Sequence, residues 1–269
     1  MNTTIDQFEP VWQYEAEENA ITTILEMQLL LWQKGMCVAG YNAEGIPQKV
    51  KTFFFPKDWD LEFMEHIFVN DPLFAGEEPF TQIWLAEERI ILVPEQLYVK
   101  DYADEWFRKF HFLDADELLF HDDLNPALDA QIIFPIPENL KELLHQYMKD
   151  AQLNALSKIA LSLSSETQGN LIKIINLPKV VLLSLQENGK NILHQVCCYE
   201  NAENIIYKIA VILQEKDLTQ DEIKISISGI APFYNNILDE LRNFFPIIDP
   251  FENTTAASLD FLKKLYLCA

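Results

Sequence analysis

The sequence predicts an α/β protein of two related halves, each running strand–strand–strand–helix–strand–helix. Three observations carry that expectation. Two apolar, β-branched segments flank Asn188-Gly189, a dipeptide that favours a two-residue hairpin turn. The order of elements around that hairpin recurs in the first half of the chain. A shift of 144 residues, applied without a gap, places Gly45 on Gly189, Val38 on Leu182, Phe55 on Tyr199, Leu61 on Ile205, Phe63 on Tyr207 and Ile67 on Val211.

In the first half, Leu25–Trp32 and Gly35–Tyr41 read as strands, Glu44-Gly45 as a turn and Ile46–Phe55 as a third strand. A helix is expected from about Asp58 to Phe68, with Leu61, Met64, Ile67 and Phe68 on one face. Strands follow at Phe80–Ala86 and Arg89–Val93. A helix is then expected over Pro94–Phe110, with proline in its first turn, where a missing N–H costs nothing.

Between the halves, Asp114–Ala130 is acidic and reads as irregular, Gln131–Ile136 as a strand and Glu138–Met148 as a helix. In the second half, Leu171–Leu177 is a strand ended by Pro178, and Lys179–Gln186 and Asn191–Tyr199 form the hairpin. An amphipathic helix starts near Asn201, carrying Ile205, Ile206, Ala210, Val211 and Leu213. Glu222–Ser228 alternates as a strand, punctuated by Gly229 and Pro232, and Tyr234–Phe245 reads as a helix. Ala257–Cys268 has near-helical apolar spacing and is expected to dock on its own core or on another protein. The expected division is a first half over 1–136 with an N-terminal extension and a second over 137–269 with a C-terminal helix.

Composition narrows the function classes. Of 269 residues, 49% are hydrophobic and 23% charged, enough for a sizeable core, and the apolar runs are too short to span a bilayer. With 42 acidic and 20 basic residues the net charge is −22, which disfavours nucleic-acid backbones and anionic lipid surfaces. Met1–Glu18 lacks the basic and apolar blocks of a secretion signal. Cys37, Cys197, Cys198 and Cys268 show no zinc or redox spacing, so reduced thiols are expected. Together these features predict a cytoplasmic protein with no membrane insertion.

Two copies of a three-stranded meander leading into helix–strand–helix units resemble the actin, sugar-kinase and heat-shock ATPase superfamily, whose halves are ribonuclease H-like. More narrowly, Ile91-Leu92-Val93-Pro94-Glu95-Gln96-Leu97-Tyr98, Ile133-Phe134-Pro135-Ile136-Pro137 and the meander Val180–Tyr199 resemble a bacterial family of unknown function with an actin-like ATPase fold. The resemblance covers about Thr22 to Ile248 and implies two halves around a cleft. In working members, glycine-containing hairpins between the first two strands of each half hold phosphates, and an adjacent Asp holds the metal.

Here the corresponding turns read Leu30-Leu31-Trp32-Gln33-Lys34-Gly35 and Ile175-Asn176-Leu177-Pro178-Lys179, neither with an Asp–x–Gly element. Pro178 removes a donor, and Glu26 and Gln28 stand on the first strand where an Asp and Gly would be sought. The adenine-side loop reduces to Ser228 and Gly229, the two cleft candidates; no catalytic or metal residue is assigned and no cofactor is expected. Elsewhere, His111, Asp114, Asp116, His121, Asp122 and Asp123 hold potential ligands but read as a solvated connection. His66 and His145 read as exposed helical residues, Ser162, Ser164 and Ser165 as a helix end or turn, and the face of His194 is open. Phe53-Phe54-Phe55 read as a strand covered on both faces. The sequence therefore predicts a non-catalytic actin-like module that binds a protein partner in a larger assembly. The alternative is a divergent nucleotide-dependent ATPase or kinase-like enzyme.

Overall fold

The computed structural model of the chain describes residues 8–17, 23–123, 130–162, 168–230, 234–246 and 254–268. The chain divides into two compact units, residues 1–158 and 159–268.

The first unit opens with strands β1 (Trp12–Glu15), β2 (Glu26–Trp32), β3 (Gly35–Tyr41) and β4 (Pro47–Phe54). Helix α1 (Leu61–Asn70) follows, and its first turn is capped by the Asp60 carboxylate, which accepts the Phe63 N–H at 3.3 Å. Phe63, Met64, Ile67 and Phe68 form its buried face. Strand β5 (Phe80–Ala86) returns parallel to β2, and β9 (Gln152–Ala155) lies parallel beyond it. The sheet order is β1-β4-β3-β2-β5-β9. From Met27 to Trp32 and along the whole of β3 every residue is buried, as strands covered on both faces must be.

Between β5 and β9 the chain builds a separate antiparallel sheet. Its strands β6 (Ile91–Pro94), β7 (Glu117–Asp123) and β8 (Ala130–Pro137) lie in the order β6-β8-β7, with short helix α2 (Ala103–Arg108) packed on it through Phe107. Helix α3 (Glu138–Tyr147) leads back to β9. Two ionic contacts fasten this insertion. Arg89, just past β5, pairs with both carboxylate oxygens of Glu117 at 2.5 and 3.0 Å, and Asp122 accepts the Ala155 N–H and the Lys158 ammonium at 2.8 and 2.9 Å.

Two expectations fail in this region. Pro94–Phe110 is not one helix: 3₁₀ turns at Glu95–Leu97 and Lys100–Tyr102 precede α2. Tyr98 and Val99 are extended, and Tyr98 packs on the small core while its hydroxyl meets His121 Nδ1 at 2.8 Å; a helical backbone there would withdraw it. Nor is Asp114–Ala130 irregular throughout, because β7 pairs along its length with β8. Its charges are tolerable because β7 is an edge strand; residues 124–129 lie outside the described set.

Helix α4 (Leu156–Ser162) leads into the second unit, and Ser162 is its last residue; Ser164 and Ser165 lie outside the described residues. Then come β10 (Asn170–Leu177), β11 (Val180–Glu187), β12 (Lys190–Cys198), α5 (Ala202–Glu215), β13 (Ile223–Gly229), α6 (Tyr234–Arg242) and α7 (Thr254–Leu267). The sheet order β12-β11-β10-β13, with β13 parallel to β10, repeats β4-β3-β2-β5 of the first unit. Asn201 and Asn204 form a reciprocal cap at the start of α5. One core collects Ile172, Leu183, Ile209, Ile225 and Leu241 from the sheet, α5 and α6.

The correspondence between the units is not gapless. The closing pairs of the first hairpins are Trp32–Gly35 and Leu177–Val180, an offset of 145 residues. Phe54 and Cys198, opposite those same closing residues, are 144 apart. The extra residue lies in the next loop, five residues between the paired Tyr41 and Pro47 but four between Gln186 and Asn191. A one-residue slip turns a strand over, so Val38 corresponds to Leu183, which faces the core, rather than to Leu182. The proposed pairing of Phe63 with Tyr207 also fails: Phe63 is buried and Tyr207 is 70% exposed. The buried face of α5 is Ile205, Ile209, Ile212 and Leu213.

Gly35 sits where a Cβ would meet the Phe53 carbonyl oxygen at 2.5 Å and the Trp32 ring at 2.7 Å. Gly35→Ala is expected to destabilise the protein by about 1–3 kcal/mol through overpacking, read as a lower urea midpoint with an unchanged slope.

Candidate functional site

Each unit contributes one hairpin turn of the kind that the actin-like resemblance assigns to phosphate. The first consists of Gln33 and Lys34, between Trp32 and Gly35. Its backbone is anchored to the segment before α1: Phe55 N–H donates to the Lys34 carbonyl and Trp59 N–H to the Gln33 carbonyl, both at 2.9 Å. The Lys34 ammonium pairs with Asp58. Trp32 is wholly buried, its indole N–H has no hydrogen-bond partner, and its ring fills the space above Gly35.

The second turn consists of Pro178 and Lys179, and Lys179 has φ +68°. Proline fixes the first position and the left-handed second residue closes the hairpin. The anchoring repeats that of the first unit. Tyr199 N–H donates to the Lys179 carbonyl at 3.0 Å, and the Lys179 ammonium meets the Glu200 carboxylate at 2.9 Å and its carbonyl at 3.2 Å. The Tyr199 hydroxyl donates to the Leu177 carbonyl at 3.0 Å, and burial raises its pKa to about 12.

The two sequence candidates, Ser228 and Gly229, end β13 beside this second hairpin. Ser228 Oγ reaches the Ile174 carbonyl at 3.4 Å. Gly229 has φ +146° and pairs with Asn176, whose carbonyl accepts the Ile230 N–H at 3.1 Å. A Cβ on Gly229 would lie 1.9 Å from that carbonyl oxygen, so the glycine is there for strand contact. Pro232, expected to start the next helix, lies outside the described residues. Asn176 is fully buried; its side chain lies near the Tyr199 hydroxyl, but neither carboxamide atom makes a well-formed hydrogen bond.

A polar row crosses the same sheet one turn of pleat away. Pairing puts Lys173, Ser184, His194 and Ser226 side by side, so all four point to one face. Ser184 Oγ lies 2.7 Å from His194 Nδ1, which settles the face of the histidine. A hydroxyl on an imidazole is the start of a nucleophilic pair, but Ser184 is only 1% exposed. Burial lowers the His194 pKa to about 4, and burial with Lys264 nearby lowers that of Lys173 to about 8. The ammonium of Lys173 is buried without a hydrogen-bond partner. Period-two reading of the four strands could have found this row; only the register was missing.

The His/Asp group disperses. His111 Nε2 meets the Ile90 carbonyl at 3.2 Å, His121 meets Tyr98, Asp122 binds Lys158, and Asp114 stands 4.0 Å from Arg89. Among the described residues no three His, Cys, Asp or Glu side chains converge as a metal site. His66 stacks on Phe8 with ring centroids 3.8 Å apart. None of the four cysteines is in a disulfide; Cys197 is buried and Cys198 exposed, and burial raises the Cys37 pKa to about 12. No described helix is long and apolar enough to cross a membrane.

A family model described as "Protein of unknown function (DUF3822)" matches residues 47–248. No curated protein matches the chain. Among solved structures, a Bacteroides thetaiotaomicron protein with actin-like ATPase fold and unknown function is similar at 16% identity and TM-score 0.73, over 91% of this chain and 96% of that one. A chain of the PilM-PilN type IV pilus biogenesis complex is similar at 10% identity and TM-score 0.51, over 92% and 98%. The cytoplasmic domain of EpsL, an inner membrane component of the type II secretion system of Vibrio cholerae, gives 11% identity and TM-score 0.48, over 90% and 93%. The likenesses to the Bacteroides protein and to the pilus-complex chain show the fold: the chain has the actin-like ATPase architecture.

Gly229→Ala is expected to lower unfolding free energy by at least ~1 kcal/mol, since both its φ and the Asn176 carbonyl oppose a side chain; chemical denaturation reads this directly. His194 gives a pH signature. Its folded pKa of about 4 lies below the ordinary 6.5, so the unfolded chain binds the extra proton first. Its contribution is fully retained above pH 6.5, falls as pH drops toward 4, and totals at most ~3 kcal/mol. Denaturation of His194→Gln and the parent between pH 7 and 4 should show a shallower decline in the variant.

Proposed function

The chain belongs to this family of proteins of unknown function, and we propose that it acts by binding a protein partner through an actin-like fold, without turning over a nucleotide. The observation that carries the reading is the state of the two hairpin turns. A phosphate cradle needs backbone N–H groups converging on open space, with a carboxylate placed for the metal. Here both turns are two residues long, and their carbonyls already accept hydrogen bonds from Phe55, Trp59 and Tyr199. Trp32 fills the space beside Gly35, Pro178 lacks an N–H, and both turn lysines are engaged by their own neighbours, Asp58 and Glu200. At the strand end, Gly229 is spent on its contact with Asn176.

The likeness to a chain of the PilM-PilN complex supports a binding role, because that protein is part of an assembly. Four cysteines outside any disulfide support a reducing compartment, the cytoplasm. A net charge of −22 argues against nucleic acid and anionic lipid as partners. The competing reading, a divergent ATPase or kinase-like enzyme, requires both turns to open.

Thermal melting with millimolar ATP, with and without magnesium, tests the proposal. A ligand at about 100 times its Kd adds ~2.7 kcal/mol, several degrees in a chain of this size. The expected result is no measurable shift; a magnesium-dependent rise would favour the enzyme.

A further inference from the structure

We propose that a cavity beneath helix α3 in the first unit is a binding site for a small apolar carboxylate, its ring or short chain held inside and its charged end at the mouth. Binding there neither requires nor excludes the protein partner proposed above.

The main sheet, the inserted sheet and α3 meet at this point without closing on one another. On β5 and β9, Ile83 stands opposite Leu153. In the inserted sheet Leu118 is opposite Ile136 and Phe120 opposite Phe134, which puts Phe120 and Ile136 diagonally on one face. Leu144 of α3, and Met148 at its end, close the third side. The space that these side chains line is about 170 Å³. Ile83, Ile136, Leu144 and Met148 are buried, whereas Phe120 and Leu153 are half-buried, which places those two nearest the opening.

Size and lining select the buried part of the ligand. Well-packed interiors leave few voids larger than a water molecule. An apolar cavity of roughly 150 Å³ takes up benzene, so this one has room for a single aromatic ring or a short aliphatic chain. Among the described residues its walls carry no hydroxyl, amide or carboxylate side chain. A sugar, a nucleotide or a polar side chain would lose its hydrogen bonds to water there without replacement. An apolar group gains dispersion contacts with every wall.

The mouth selects the other end. Lys141, His145 and Lys149 line the same cavity, spaced every fourth residue along α3 and the turn after it, and all three are exposed. The Lys141 ammonium lies 5.4 Å from the centre of the Phe120 ring, at the opening. In a chain with 42 acidic and 20 basic residues, a cavity whose charged lining among the described residues is basic runs against the overall sign. Asp122 shares the face of Phe120, two residues on, but it is held by the Lys158 ammonium and the Ala155 N–H. A carboxylate complements the lysines and the imidazole. Each of these contacts is solvated and modest, so binding needs the apolar group and the charge together.

The test titrates the full chain calorimetrically with 3-phenylpropanoate, its neutral amide and acetate, and locates the ligand by methyl NMR. The expected result is saturable binding of 3-phenylpropanoate that shifts the methyl signals of Ile83 and Met148. The amide and acetate should bind about tenfold more weakly or worse. Lys141→Gln combined with Lys149→Gln should weaken the carboxylate severalfold and leave the amide unchanged. Leu153→Phe should fill the cavity and abolish binding; should that variant not fold, Ala151→Leu should do the same. Absence of saturable binding at millimolar ligand would overturn the proposal, as would equal binding of the amide, binding that survives the filling substitution, or methyl shifts confined to other residues. A peptide ending in phenylalanine that binds more tightly than the free acid would overturn the small-molecule assignment.

Discussion

In both units an aromatic residue at the end of the third strand donates its backbone N–H to the carbonyl of the turn lysine between the first two strands: Phe55 to Lys34 and Tyr199 to Lys179. This bond closes the three-stranded meander on itself and fixes where the next helix begins. Each turn lysine then reaches an acid in the linker to that helix, Asp58 in the first unit and Glu200 in the second. With the helix start fixed, the parallel return of β5 beside β2 and of β13 beside β10 completes one topology twice. A left-handed lysine costs of order 1 kcal/mol, which Lys179 sustains because its carbonyl and ammonium are both engaged.

The same bonds explain why a fold associated with nucleotide chemistry is read here as a binding module. Turn carbonyls held by the chain's own amides leave short, stiff hairpins. The residues beside them are committed to packing: Trp32 over Gly35, and Asn176 against Gly229. In the polar row of Lys173, Ser184, His194 and Ser226, Ser184 is buried and its hydroxyl lies against the His194 ring, a contact that ties β11 to β12.

Much of the architecture was legible because periodicity and turn chemistry agree. Asn188-Gly189 with positive φ at both residues is the hairpin its sequence announces, and Gly45 matches Gly189 in that respect. The strands from Glu26 to Phe54 and from Asn170 to Cys198 lie within a residue or two of the expected bounds. What escaped was set by tertiary contact. Pro94 and the residues after it have helical composition, but Tyr98 is drawn out to His121 and the small core. Strand β7 hides among acids that only an edge tolerates. The single-residue offset between the hairpins is invisible to a pattern that glycine alone anchors. Of the two site candidates, Gly229 could be recognised as a special backbone position, while its reason, the approach of Asn176, needed the β10–β13 pairing.

The central claim is that the two hairpin turns are closed structural elements. Amide hydrogen exchange at Lys34–Gly35 and Lys179–Val180, measured with and without magnesium and ATP, addresses it directly. The account predicts equal exchange in both conditions at both turns. Slowed exchange at the two turns together on adding the nucleotide would contradict it.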